Sequence, residues 1–544
     1  MASQPAGQRG RDLPPEPPRP GPGAGRPNLR TLDPLTAYQA QGLPEFRPTT
    51  YVADSLLVRG RHKDTVDALE AAALHAGFRL DWDDLGRPLA DLLEGTALDD
   101  DQRAELERVW VSRVRLLSQP ERAEVVYKPI DTWRLLQDYR TRVGEDRRSD
   151  VALEHPASRD VSATPYTSGH PYTSGHPYTS GHPYTSGHPY TSGHASSGLS
   201  QYAVAGWGGR QPVNWLGPLP TRRRDLPEDQ RPLVAVLDSG VGKHPWFEHD
   251  VVIQNPTVLE EPIGLPSLGD EQDETEAGTD LVGELAPDAG HGTFIAGLVH
   301  QTCPDAKILS VRLFRGDGVV AEADLLHTLQ LLALRQVLAV SRVTEDQPLD
   351  VLSLSAGYYH EQPEDPAFDP LLAGPLQLLA RYGVAVVVSA GNDATKRPLF
   401  PAAFALRDRY GQPGADDRVP LSAVGALNPD GTVSMFSNDG PWVDFLRPGA
   451  SLVSTMPTTF DGSMEATNEL VNERGETRSA MDPDDFFAGF AVWSGTSFSA
   501  PVLAGQVAAQ LVQRSCAGDR DRSREASVKR LRAVLKDMPK RGDA

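Results

Sequence analysis

Four short stretches of the chain carry residue types that together could make and use a nucleophile. "WSGTSFSAP" (493–501) holds four hydroxyls, Ser494, Thr496, Ser497 and Ser499, ahead of a long run of small and apolar residues. Ser497 falls at the start of the helix that this run predicts, where unpaired N–H groups and the helix dipole favour developing negative charge. A serine needs a general base to take its proton, and the base needs an acid to fix its tautomer. The base candidate is His291 in "AGHGTFIAGLVH", set between Gly290 and Gly292 at the entrance of an apolar helix. The acid candidate is Asp238 in "VAVLDSGV", directly after a buried strand. A fourth stretch, "VVVSAGND", ends another buried strand at Asn392. Its side chain could donate to the oxyanion of a tetrahedral intermediate, together with the Ser497 backbone N–H. Taken singly, each reads otherwise: Asp238 as a turn residue, His291 as a structural histidine, the hydroxyls as helix caps. In the chain order Asp, His, Ser they describe acyl transfer.

The elements that must position these residues are legible from about 201 onward. Short apolar runs ("PLVAVLDSG", "KILSVRLF", "DVLSLSAG", "GVAVVVSAGN", "VPLSAVGA") alternate with helix candidates at 322–341 and 370–382. Continuous Val/Leu/Ala strands alternating with helices predict an α/β fold with a parallel sheet covered on both faces. In such sheets chemistry collects at the C-terminal ends of the strands, which is where Asp238 and Asn392 fall.

With "LDSG", "HGTFIAG", "AGND" and "GTSFSAPVLAG" in that order, the chain from about 230 to 515 resembles a subtilase, a subtilisin-like serine peptidase. The resemblance implies a subtilisin-like three-layer fold, a mostly parallel sheet between helices. It implies a serine endopeptidase that hydrolyses peptide bonds through an acyl-enzyme. Ser497 would be the nucleophile, His291 the base and then the acid, Asp238 its orienting partner, and Asn392 the side-chain half of the oxyanion hole. Ser355, Ala356 and Gly357 of "SLSAG" would pair with substrate backbone. Ser389, Ala390 and Gly391 would form the opposite wall of the main specificity pocket. The alternative is a catalytically silent scaffold of the same fold, against which all four active-site positions stand intact.

The sequence departs from the compact members of that family. Asp238 and His291 lie 53 positions apart, and the excess is acidic, around "EEPIGLPSLGDEQDETEAGTDLVGE", with no Lys or Arg between Lys243 and Lys307. This is either a solvated insertion or a rim that favours basic polypeptide substrates. The helix after His291 runs directly into "HQTCPDAKIL", leaving no room for the insertion in which secreted members bind calcium. No cofactor or metal is therefore expected to be required. Calcium could still be held by the acidic loop, which lacks a recognisable ligand pattern. Residues 458–489 are polar and read either as a flap or as a tolerated surface loop.

Outside this region, residues 1–46 are rich in Pro, Gly and Arg and are expected to be disordered. Residues 47–150 read as a small α/β domain. Its strands are "DSLLVRG", "WVSRVRLL" and "AEVVYKP". One helix covers "HKDTVDALEAAALHAG", stopped by Gly77, and another covers "DTWRLLQDYRTR". This domain is either an inhibitory propeptide or an ancillary, partner-binding unit. Residues 151–200 form a linker in which "PYTSGH" occurs five times, with histidines at 170, 176, 182, 188 and 194. A metal-binding tract is the other reading of that repeat. Residues 201–544 form the peptidase domain, closed by an amphipathic helix in "SREASVKRLRAVLKD".

The formal net charge of -21 argues against sequence-independent nucleic-acid binding. Two cysteines, Cys303 and Cys516, exclude a disulfide scaffold; they form one bridge or remain inert thiols. The N-terminus has no apolar signal region, and no window approaches 18 apolar residues. No membrane partner and a cytoplasmic location are expected. Nothing in the sequence specifies an oligomeric state.

Overall fold

The computed structural model describes residues 28–60, 62–118, 129–158, 202, 209–247, 250–265, 285–286, 288–314, 318–362, 370–406 and 415–542. The extreme N-terminal tail, the "AEVVYKP" strand, the "PYTSGH" repeat and most of the acidic loop lie outside these residues.

Part of the expected disordered tail, residues 28–46 of 1–46, lies among the described residues and is ordered: β1 (Leu29–Leu32) pairs antiparallel with β2 (Thr49–Val52). Leu32, Ala40 and Phe46 are buried, so three apolar residues in a Pro-rich stretch were enough to anchor it. Beyond it come β3 (Ser55–Arg59), α1 (Lys63–Ala76), β4 (Phe78–Asp83), α2 (Leu89–Leu93), α3 (Asp100–Val109), β5 (Val111–Ser118) and α4 (Thr132–Arg142). Helix α1 stops where Gly77 turns left-handed, and α4 starts where the Asp131 side chain accepts the Trp133 N–H. On α4, Trp133, Leu136 and Tyr139 are all buried, as their spacing predicts.

The expected boundary at 150 also moves. Strand β6 (Val151–Leu153) completes a four-stranded antiparallel sheet ordered β4-β5-β3-β6, and β7 (Pro156–Ser158) follows it directly. The first eight residues assigned to the linker, 151–158, therefore carry two short strands and are largely buried.

The C-terminal region contributes β8 (Gln211–Pro212), β9 (Leu233–Asp238), β10 (Val252–Ile253), the ribbon β11 (Thr257–Val258) with β12 (Glu261–Pro262), and α5 (His291–Thr302). Then come β13 (Lys307–Arg312), β14 (Val319–Ala321), α6 (Glu322–Val340), β15 (Val351–Leu354), α7 (Pro370–Arg381), β16 (Ala385–Ser389), β17 (Ser422–Leu427) and β18 (Phe445–Pro448). The chain ends through β19 (Leu452–Thr455), an exposed hairpin of β20 (Glu469–Val471) and β21 (Thr477–Ser479), β22 (Phe490–Trp493), α8 (Thr496–Cys516) and α9 (Arg524–Asp537). Seven strands form one all-parallel sheet in the order β10-β13-β9-β15-β16-β17-β18.

Both faces of that sheet are dry, which is why its strands read as unbroken apolar runs. Leu233, Ala235 and Leu237 of β9 pack with α6 and α7. Val234 and Val236 point the other way, toward α5, α8 and α9. On α9, Val528, Leu531, Val534 and Leu535 are buried, giving the amphipathic pattern its partner. The N-terminal sheet is similarly two-faced. One face packs on α1 and α4. The other contributes Leu57, Trp110, Val111 and Ala152 to the same apolar cluster as α6 and α7.

Cys303 is buried, Cys516 is exposed and neither is bridged. Burial pushes the Cys303 thiol up to about 12, so it is not a nucleophile. Among the described residues no helix is long and apolar enough to cross a membrane. None of them forms a group of three His, Cys, Asp or Glu side chains that could hold a metal ion.

Candidate active site

Strand β9 delivers Asp238 at its last residue, at the C-terminal edge of the sheet. Its Oδ1 accepts the Ser239 N–H at 2.8 Å, which holds the carboxylate before any partner arrives. His291 is the first residue of α5. Its Nδ1 lies 2.8 Å from Asp238 Oδ1 and 3.0 Å from Oδ2. With that proton directed at a carboxylate, the neutral ring presents the lone pair of Nε2 on its other side. Trp493 meets the ring edge-on at 5.5 Å and Phe498 lies tilted against it at 5.0 Å, leaving the imidazole only 4% exposed.

The two flanking glycines are required by geometry. Gly290, with φ of 81°, turns left-handed immediately before the helix. Gly292 lies so close to the turn after Asp238 that a Cβ would stand 2.2 Å from the Gly240 carbonyl oxygen. Its N–H donates to Ser239 Oγ at 3.1 Å, and Thr293 Oγ1 accepts the Gly242 N–H at 2.8 Å. The start of α5 is thus sewn to the end of β9.

Ser497 is the second residue of α8, buried at the helix entrance. Its carbonyl accepts a hydrogen bond from Ser355 Oγ at 3.0 Å, tying the helix start to the segment after β15. Among the described residues no hydrogen bond joins Ser497 to His291, a looseness common in catalytic pairs without substrate. Asn392 follows β16. Its Oδ1 accepts from both the Thr496 N–H and the Thr496 hydroxyl, each at 2.9 Å. The Thr496 hydroxyl in turn accepts the Gly391 N–H at 3.1 Å. Because the carboxamide oxygen is committed to the helix start, the NH₂ end is the one directed elsewhere, as a donor.

The remaining sequence candidates sit at the ends of two neighbouring strands. Ser355, Ala356 and Gly357 leave the end of β15, and Ser389, Ala390 and Gly391 leave β16, its parallel neighbour. Asn438 braces the second group: Nδ2 donates to the Ala390 carbonyl at 2.9 Å, and its N–H donates to the Gly391 carbonyl at 2.9 Å. Asp393, next to Asn392, accepts the Tyr359 hydroxyl at 2.7 Å. Beside Gly357 lies β7 of the N-terminal region. Ser158 and Gly357 exchange two backbone hydrogen bonds at 3.0 Å each, and β7 also pairs antiparallel with β14.

The other three hydroxyls of "WSGTSFSAP", Ser494, Thr496 and Ser499, hold structural contacts. Ser494 accepts the Ser451 N–H at 2.9 Å, and Ser499 is buried against Gly449. Thr496 has the larger part just described, and only its position beside Ser497 hinted at it. Asn438 and Ser239 were missed altogether. Asn438 lies 46 residues after Asn392 in the chain, with no local signal connecting them.

Residues 229–537 match the Subtilase family. The chain is 23% identical over 297 residues to the "Major intracellular serine protease" of Bacillus subtilis, covering 52% of this chain and 75% of that protein. It is 30% identical over 187 residues to an "Intracellular serine protease" of Paenibacillus polymyxa, covering 33% of this chain and 50% of that one. A solved "cold adapted subtilisin-like serine proteinase" aligns over 57% of this chain and 88% of its own at 18% identity, with a TM-score of 0.34.

Proposed function

The chain belongs to the Subtilase family of serine peptidases, and we propose that it is an endopeptidase whose Ser497 attacks the scissile carbonyl, restrained by its own N-terminal region. The observation that supports this reading is the buried Asp238–His291 pair at the sheet edge, with Ser497 at the N-terminus of α8, whose next residue, Phe498, lies 5.0 Å from the imidazole. In the first step His291 Nε2 takes the Ser497 proton as Oγ bonds to the carbonyl carbon. The oxyanion is received by the Ser497 N–H and the Asn392 NH₂, groups already fixed before the charge develops. His291 then protonates the leaving amine, and an acyl-enzyme remains. Water, deprotonated by the same imidazole, releases the acid and restores the serine. Asp238 stays ionised throughout and stabilises the imidazolium. No cofactor enters these steps.

Restraint by the N-terminal region is supported by β7. An extended peptide recognised by backbone pairing would lie between β14 and Gly357, and β7 occupies that track. We read the N-terminal domain accordingly as an inhibitor. The cytoplasm remains our expected compartment, in keeping with the two relatives named as intracellular. The test is labelling by a fluorophosphonate probe, on the full chain and after cleavage within 159–201. We expect labelling to appear after cleavage and to be abolished by Ser497→Ala. An intact Ser497 that resists the probe in both forms sinks the peptidase reading in favour of a silent scaffold.

A further inference from the structure

Three residues before Ser158, a buried charge cluster spans the two regions, and the chemistry above makes no use of it. His155 is 1% exposed. Its Nδ1 lies 3.0 Å from Glu322 Oε2 and its Nε2 lies 3.2 Å from Glu361 Oε2. The His155 backbone N–H also donates to Glu322 Oε2 at 3.0 Å. An imidazole satisfies two carboxylates at once only when both nitrogens carry protons, so the ring is a cation held between two anions. Burial alone would lower its pKa; the hydrogen bonds and charges of Glu322 and Glu361 prevail and raise it to about 10.

Both glutamates belong to the peptidase region. Glu322 opens α6, and Tyr358 donates its hydroxyl to Glu322 Oε1 at 2.6 Å while stacking on His155 at 4.7 Å. Glu361 follows His360, whose Nδ1 lies 3.4 Å from Glu361 Oε2 and accepts the Gln362 N–H at 3.0 Å. Arg140 of α4 stands 3.6 Å from Glu361 Oε1, an oxygen that accepts no hydrogen bond among the described residues although its side chain is wholly buried. His155 and Arg140, the cations that the N-terminal region supplies, leave with it. Two carboxylates then remain, Glu322 beside Tyr358 and Glu361 beside His360, both without the cations that the N-terminal region had placed between them, and another cation would satisfy the pair.

We propose that Glu322 and Glu361 form a subsite for a basic side chain of the polypeptide substrate, three residues N-terminal to the residue that pairs with Gly357. This deepens the peptidase reading and rests on it, since it assumes that substrate follows the track of β7. In that register Ala157 and His155 share one face of the strand, and both are buried against the peptidase region. The occupant is selected by charge and by the two-carboxylate geometry, so Lys, Arg and protonated His qualify and acidic residues are rejected.

The test begins with the full chain, left to process itself and then given a peptide library from a digested proteome. Cleavage sites are read by mass spectrometry against a Ser497→Ala control. We expect Lys, Arg and His to be enriched about fivefold or more at one fixed position upstream of the cut, with the preference lost in a Glu322→Gln, Glu361→Gln double variant. Folding of that variant is bypassed by a second measurement on the unmodified enzyme. The best-cleaved peptide is remade with norleucine in place of the basic residue, and kcat/KM is expected to fall about tenfold. Ser497-dependent cleavage without any upstream basic preference, or a norleucine ratio near one, overturns the subsite and leaves the peptidase reading standing. Absence of Ser497-dependent cleavage overturns the peptidase reading and this inference with it.

Discussion

Thr496 joins two chain segments through one hydroxyl: it donates to Asn392 and accepts from Gly391 at the end of β16, and it sits beside Ser497 on α8. Its contribution to the proposed chemistry is therefore indirect, through the aim of the Asn392 NH₂. Asn392→Ala should lower kcat by about 10²–10³ with little change in KM, the usual cost of losing one oxyanion donor. Thr496→Val should lower kcat by about tenfold, the equivalent of one hydrogen bond of roughly 1.4 kcal/mol, and Thr496→Ser should restore most of it. Steady-state kinetics on a neutral peptide separates the two cases. Equal loss in kcat for Thr496→Ser and Thr496→Val would show that the hydroxyl is not what matters.

At the scale of elements, the junction of β9 and α5 leaves no room for a side chain. A methyl at Gly292 would meet the Gly240 carbonyl oxygen at 2.2 Å, and neither backbone can move without shifting Asp238 or His291. Gly292→Ala should cost about 1–3 kcal/mol of stability, visible as a lower melting temperature, and more activity than that loss explains. An unchanged melting temperature would contradict the packing described. This junction was readable from sequence, because "GHGT" and "LDSG" announce glycines where side chains would collide. The long apolar strands and the helices over 322–340, 370–381 and 524–537 were readable for the same reason: their periodicity is their burial. The short strands were not. Strands β1, β7 and the β20–β21 hairpin have three or four residues each, and their pairing is decided by partners far away in the chain. Asn438 and the Glu322–His155–Glu361 bridge were invisible for a related reason. Each has ordinary local context and acquires meaning only when distant segments meet.

For the molecule as a whole, the bridge makes attachment of the N-terminal region depend on pH. The His155 pKa in the docked state is about 10, above the 6.5 of a free imidazole. A raised pKa stabilises docking fully below pH 6.5, and that stabilisation is lost as pH rises through about 10. Glu361 works in the other direction: although burial opposes it, His360, His155 and Arg140 hold its carboxyl far below the usual range, so its contribution fades only in strong acid. After cleavage within 159–201 in a Ser497→Ala background, gel filtration should therefore show the two pieces together at pH 6 and increasingly apart toward pH 10. His155→Ala should flatten that dependence. Pieces that stay together equally at both ends of the range would remove His155 from this role.

Severing the connection between the two regions does not by itself separate them, because Leu57, Trp110 and Val111 are part of the same apolar cluster as α6 and α7. Before the cut, an inhibitory N-terminal region of the kind proposed would be held at an effective concentration set by its tether, whatever the total amount of protein. After the cut, the same contact becomes a bimolecular complex, and mass action decides how much enzyme is open. A nicked sample kept concentrated would then be largely silent, and the same sample diluted would awaken with a delay set by the dissociation rate. Latency of the kind proposed would thus be a matter of crowding and elapsed time as much as of which bonds have been broken.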